Sequence, residues 1–144
     1  MSAVLAAKEE SLRKCISRIR DVWKRPSVQP FAEDLDKQEI VVLNLIRAFE
    51  VLLDMASHLV RVKRLGWPKD NAEVFDLLEK AGLVTEEMKT GLKKGNAMRN
   101  ILVHEYEEIN LDDIANVIEN HLDEMLESGQ RLFSHGSDDV AGAG

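Results

Sequence analysis

The chain has 144 residues, of which 44% are hydrophobic, 31% charged and 5% aromatic, with a formal net charge of −7. A chain of this length buries roughly two thirds of its unfolded surface, enough to fold as one domain without disulfides or a structural metal. Its single cysteine, Cys15, excludes a disulfide framework and a thiolate metal site, and points to a reducing, cytoplasmic setting.

No apolar run reaches the ~18 residues of a membrane span, and the start, Met1 to Glu10, lacks the basic opening and apolar stretch of a signal peptide. The acidic total does not exclude nucleic acid, because the charge is unevenly placed. Residues 1–104 carry 18 Lys and Arg against 15 Asp and Glu, whereas residues 105–144 carry one Arg against 11 acids. A basic face can therefore exist in the first part of the chain.

Leu12, Cys15, Ile16, Ile19, Val22 and Trp23 recur at three- and four-residue spacing, the stripe of an amphipathic helix that begins after Val4 and is stopped by Pro26. Arg25 to Pro30 is a connector whose two prolines forbid helix. From about Asp34 to Leu65 runs the longest pattern, free of Gly and Pro, with Ile40, Leu43, Ile46, Leu53, Met55 and Leu59 on a broad apolar face. Gly66-Trp67-Pro68 ends it, Gly66 being suited to a left-handed cap. A short helix follows, capped near Asp70 and closed by Gly82. Thr85 caps the next, with Met88, Leu92 and Ile101 on its inner face. Gly91 and Gly95 weaken that helix, so it depends on packing. Asn110 with Asp112 and Asp113 opens the last helix, which carries Ile114, Val117, Ile118, His121, Leu122, Met125 and Leu126. Ser128-Gly129 and the Gly-rich residues 133–144 read as frayed. The expectation is an all-α bundle of about five helices, one domain over residues 1–132 with a flexible tail over 133–144.

The chemistry gathers where the fourth helical pattern ends. Arg99, His104 and Tyr106 lie within eight residues, with Asn100 beside the arginine. A guanidinium grips a phosphate through paired hydrogen bonds at any physiological pH, and an imidazole moves protons near neutrality. Together they suffice to cleave a phosphodiester. On an ideal helix Arg99 and His104 lie about 140° apart, so they converge on one phosphate only if the helix ends near His104 or a second chain supplies one of them. A surface arginine and a histidine closing the helix C-terminus fit the same spacing.

The segment Met98-Arg99-Asn100-Ile101-Leu102-Val103-His104-Glu105-Tyr106 resembles the signature of HEPN-domain proteins, and among them the HepT toxins paired with MNT-type minimal nucleotidyltransferases. The similarity runs from roughly Leu12 to Leu126. It implies a HEPN-like bundle that forms a homodimer with a composite cleft, and a metal-independent endoribonuclease with no cofactor. On that resemblance His104 is the general base and acid, Arg99 holds the scissile phosphate, Asn100 orients the site, and Tyr106 is the residue that a partner nucleotidyltransferase silences by attaching AMP. The partners implied are that antitoxin and an RNA substrate.

Other polar residues are weighed against that site. Glu50, Asp54 and His58 stand four apart on the long helix, either as a solvated face or as residues orienting Arg99 and His104. A metal site is not expected, since Asp54 and His58 lack a third ligand at suitable spacing. Lys93, Lys94 and Arg61 are candidates for a phosphate track, or are ordinary solvated cations. Trp23 and Trp67 read as core and loop anchors, His121 as an interior or interface histidine, and His135 as idle. Two alternatives stand beside the nuclease: a non-catalytic HEPN dimer that docks a nucleotidyltransferase, and a plain helical regulator.

Overall fold

The computed structural model describes residues 2–143, with side chains described through Gly136. The described residues form six α-helices: α1 (Ala3–Lys24), α2 (Leu35–Val62), α3 (Asn71–Lys80), α4 (Glu86–His104), α5 (Leu111–Asn120) and α6 (Leu122–Ala143). Short 3₁₀ turns at Phe31–Glu33 and Tyr106–Glu108 precede α2 and follow α4. No strand occurs among the described residues, in keeping with the all-α expectation. No described helix is long and apolar enough to cross a membrane.

Each of the first five helices starts on a side chain that accepts an otherwise unpaired N–H. Ser2 takes Leu5, Asp34 takes Lys37, Asp70 takes Glu73, Thr85 takes Met88, and Asn110 takes both Asp112 and Asp113. Such caps contribute about 1 kcal/mol each. The 28-residue α2 is the central rod, with Val41, Leu45, Ala48, Leu52, Met55, Ala56 and Leu59 buried along one side. Helix α1 runs antiparallel to it. Lys8 Nζ meets Asp54 at 2.9 Å near one end, and near the other Trp23 packs edge-on against Phe31, 4.8 Å between centroids.

The ends of α2 and α3 use the same backbone closure with different residues. After α3, Gly82 (φ 79°) takes the left-handed position while Leu83 N–H reaches back to the Leu78 carbonyl. After α2, that position falls to Arg64 (φ 55°), not Gly66, while Leu65 N–H reaches the Val60 carbonyl. Gly66 instead adopts φ 143°, where a Cβ would crowd Leu77.

Three further expectations change. The last helix of the pattern is two, because the chain breaks at His121 (φ −126°, ψ −1°), after Asn120, both weak helix formers. The bend directs Ile114 and Ile118, and then Leu122, Met125 and Leu132, into one core. His121 is half-exposed at this corner, its Nδ1 3.1 Å from Glu124. Ser128-Gly129 does not fray: both lie inside α6, and Ser128 is buried. Helix α6 runs antiparallel to α1 so closely that a Cβ on Gly129 would collide with Leu12, and one on Gly136 with Leu5. Packing thereby overrides the low helix propensity of glycine. His135 is not idle either, for its Nε2 and the Arg131 Nε both donate to the Leu83 carbonyl, at 2.9 and 3.0 Å. The expected looseness of residues 137–144 concerns side chains outside those described.

Candidate active site

Helix α4 places the motif. Leu92 and Leu102 are its buried residues, while Ile101, expected on the inner face, is exposed. Seven residues separate Leu92 from Arg99, so both point to the same side, toward α2. The approach is close because residue 95 is glycine: a Cβ there would sit 2.8 Å from the Phe49 ring. One turn later the Arg99 side chain enters the same seam and is only 25% exposed.

That seam orients the guanidinium. Arg99 Nη1 donates to Asn100 Oδ1 at 3.2 Å, and Arg99 Nε lies 3.8 Å from Glu50 Oε1. The second distance is an ion pair, too long for a hydrogen bond. Arg99 Nε is thus a buried donor without a hydrogen-bond partner. A buried N–H left unpaired costs about 1–3 kcal/mol, so the group is held ready for an acceptor.

His104 is the last residue of α4, and Glu105 (φ −132°, ψ 46°) turns the chain away. It is exposed, as are Ile101 and Val103 before it, and Tyr106 is 55% exposed in the following turn. The helix ends where convergence requires it to end. Within one chain, though, Arg99 faces α2 while His104 stands about 140° around the helix axis.

The remaining expected residues separate. Of the stripe on α2, Glu50 meets Arg99, Asp54 is engaged by Lys8 of α1, and His58 Nδ1 lies 3.2 Å from Arg61 Nη2 of its own helix. Lys93 is committed to Asp76 of α3 at 3.0 Å, and Lys89 to Glu79 at 3.2 Å. Glu79 pushes the Lys89 ammonium above its ordinary value. Lys94, about 100° round the helix from Lys93, lines a groove of about 1010 Å³ between α4 and α5–α6, together with Met98 and Val117. The two lysines therefore do not form one track. Arg61 is exposed at the far end of α2. Trp23 packs against the core as expected, but Trp67 does not anchor its loop: it is 96% exposed. Among the described residues no cluster of His, Cys, Asp and Glu is suited to a metal ion. The lone Cys15 thiol is pushed up by burial, against the pull of Arg47. Sequence reasoning missed the Phe49–Gly95 contact; a glycine one turn before Arg99 on its own face was the available signal.

Comparison with known proteins places the chain as a whole. Residues 12–132 match the family model for HepT-like ribonucleases. The chain is 36% identical over 125 residues to the mRNA nuclease HepT of Shewanella oneidensis, covering 87% of this chain and 92% of that protein. Its fold superposes with a TM-score of 0.86 on the tri-AMPylated HEPN toxin of Shewanella oneidensis, solved in complex with an MNT antitoxin. Identity there is 34%, covering 93% of this chain and 99% of that one. A toxin–antitoxin structure with AMP-PNP matches with a TM-score of 0.84 at 32% identity, over 92% of this chain and 99% of the other. By sequence and by fold, the chain belongs to the HepT-like ribonuclease family.

Proposed function

We propose that this protein is the toxin of a type VII HEPN/MNT toxin–antitoxin pair, an endoribonuclease that works without a metal as a homodimer. In this reading neutral His104 takes the proton from a ribose 2′-hydroxyl, and the oxygen attacks the adjacent phosphorus. The 5′-oxygen leaves with a proton returned by an imidazolium, giving a 2′,3′-cyclic phosphate and a 5′-hydroxyl. Arg99 holds the phosphate and the charge that grows on its oxygens. Asn100 and Glu50 aim Arg99, and Asp54 and His58 stiffen the α2 face beside it. Arg61 and Lys94 attract the RNA backbone, while Lys93 braces α3. A partner nucleotidyltransferase silences the toxin by placing AMP on the Tyr106 oxygen. The added phosphodiester and nucleotide then stand within seven residues of Arg99 and exclude RNA.

The observation that carries the reading is the half-buried Arg99 with its open Nε donor, five residues before an exposed His104 and seven before an exposed Tyr106. Because the two motif groups diverge about the helix axis, a composite site takes one of each from two copies. The chain's likeness to a toxin solved with an MNT antitoxin supports the partner class.

The test is incubation of purified protein with total RNA in EDTA, beside Arg99→Ala and His104→Ala. Cleavage is expected to survive chelation and to fall about 10²–10⁴-fold in His104→Ala, with its melting temperature unchanged. Equal cleavage by wild type and folded His104→Ala would refute the mechanism. An inactive wild type whose intact mass shows no AMP would favour the docking module instead.

A further inference from the structure

The loop joining α2 to α3 holds an indole where no packing requires one. Trp67 is 96% exposed, and the apolar Val62 before it is 44% exposed. The loop is nonetheless rigidly built. Leu65 N–H closes onto Val60, Gly66 abuts Leu77, Pro68 follows the tryptophan, and Asp70 spends its carboxylate on the Glu73 N–H. The cations Arg61, Arg64 and Lys69 are exposed in the same segment, within six residues of Trp67 along the chain. At 96% exposure Trp67 adds almost nothing to the core, and both faces of its ring are open to solvent.

We propose that Trp67 is a stacking platform for an unpaired base of single-stranded RNA, with Arg61, Arg64 and Lys69 holding the phosphates on either side. An aromatic face beside a cationic track is the combination that grips single strands without reading their sequence. The location fits a strand that also reaches the motif. Glu50 and Arg61 lie on one face of α2, eleven residues and about 16 Å apart at 1.5 Å per residue. On this proposal a single strand runs from Arg99 toward Arg61 and Trp67, passing the Asp54 carboxylate, whose charge Lys8 already offsets. The assignment rests on the RNA-cleaving reading above and adds a binding site remote from the reacting phosphate.

The experiment is fluorescence anisotropy of a labelled 12-nucleotide oligouridine with the full chain, at two salt concentrations, for wild type, Trp67→Ala, Trp67→Leu, Trp67→Phe and Arg64→Ala. Stacking predicts that Trp67→Ala and Trp67→Leu weaken binding about tenfold, while Trp67→Phe loses less than about threefold. It also predicts that Arg64→Ala, but not Trp67→Leu, flattens the salt dependence. Equal affinity in wild type and Trp67→Ala overturns the site. So does equal loss with Phe and Leu, or a change of sedimentation mass in Trp67→Ala, which would place the indole against a second copy of the chain. Tight binding sensitive to Trp67 but without cleavage would sink the nuclease reading and leave the platform standing. Cleavage with binding insensitive to Trp67 would do the reverse.

Discussion

Two seams on the central pair of helices use the same device for different ends. Along the α1–α6 seam, Gly129 and Gly136 let two helices approach over seven residues, and the leucines beneath them are wholly buried. At the α2–α4 seam a single glycine, Gly95, meets an aromatic ring, and one turn further on the seam takes in the charged Arg99 beside Glu50. The first seam excludes water from a core. The second stops short of closing, and the gap is filled by an arginine whose Nε has no hydrogen-bond partner. Tight packing on one side thus leaves a poised charge on the other, and the two should fail differently when disturbed.

The sharpest way to break the contrast is Gly129→Val. It forces a branched side chain against Leu12, and we expect a loss of about 1–3 kcal/mol, read as a lowered denaturation midpoint. Cleavage per folded molecule should stay at the wild-type level, and a selective loss of activity would mean that the seams are not separable. Gly95→Ala is expected to invert the pattern. Alanine gains about 1 kcal/mol of helix propensity, offsetting much of the clash with Phe49, so stability moves little while α4 shifts from α2. Cleavage should fall further than stability, and unchanged cleavage would detach Arg99 from the seam.

The smallest effect sharpens the comparison by touching α2 outside both seams. Hydrogen bonds from the Lys37 N–H and then the Ser27 hydroxyl hold the Asp34 carboxyl below its ordinary value. A depressed folded pKa gives stability that is present above the usual carboxylate range and lost as pH falls through the lowered value. Asp34→Asn keeps a capping oxygen and removes the charge. Wild type should therefore melt slightly higher than Asp34→Asn at neutral pH, with the gap closing in acid. A gap that persists in acid would point to geometry rather than charge.

Much of this was readable before any coordinates, and the boundary is physical. The caps at Asp70, Thr85 and Asn110 are local, each set by a side chain reaching two or three residues ahead, and all three form. The end of α4 at His104 likewise followed from nearby residues. What escaped depended on distant partners. Gly129 and Gly136 look like helix breakers until Leu12 and Leu5 are set beneath them, and Lys93 looks like a free cation until Asp76 arrives from α3. Arg64 took the left-handed position although Gly66 stood two residues away, because the closure onto Val60 counts residues from the helix end. Exposure at Trp67 was illegible for the same reason, since hydrophobicity names what a side chain prefers and not what is left to cover it.

The contact between Leu5 and Gly136 also has a history in time. Helix α1 is made before α6, and although α2 covers one side of α1, the cover that Gly129 and Gly136 give Leu12 and Leu5 comes only with α6. Until then those leucines are only partly covered, and unsealed apolar surface is what chaperones and proteases act on. Loop closure over so many residues also makes this docking a late event. A nascent chain therefore carries the whole of α4 before the bundle that holds it is complete.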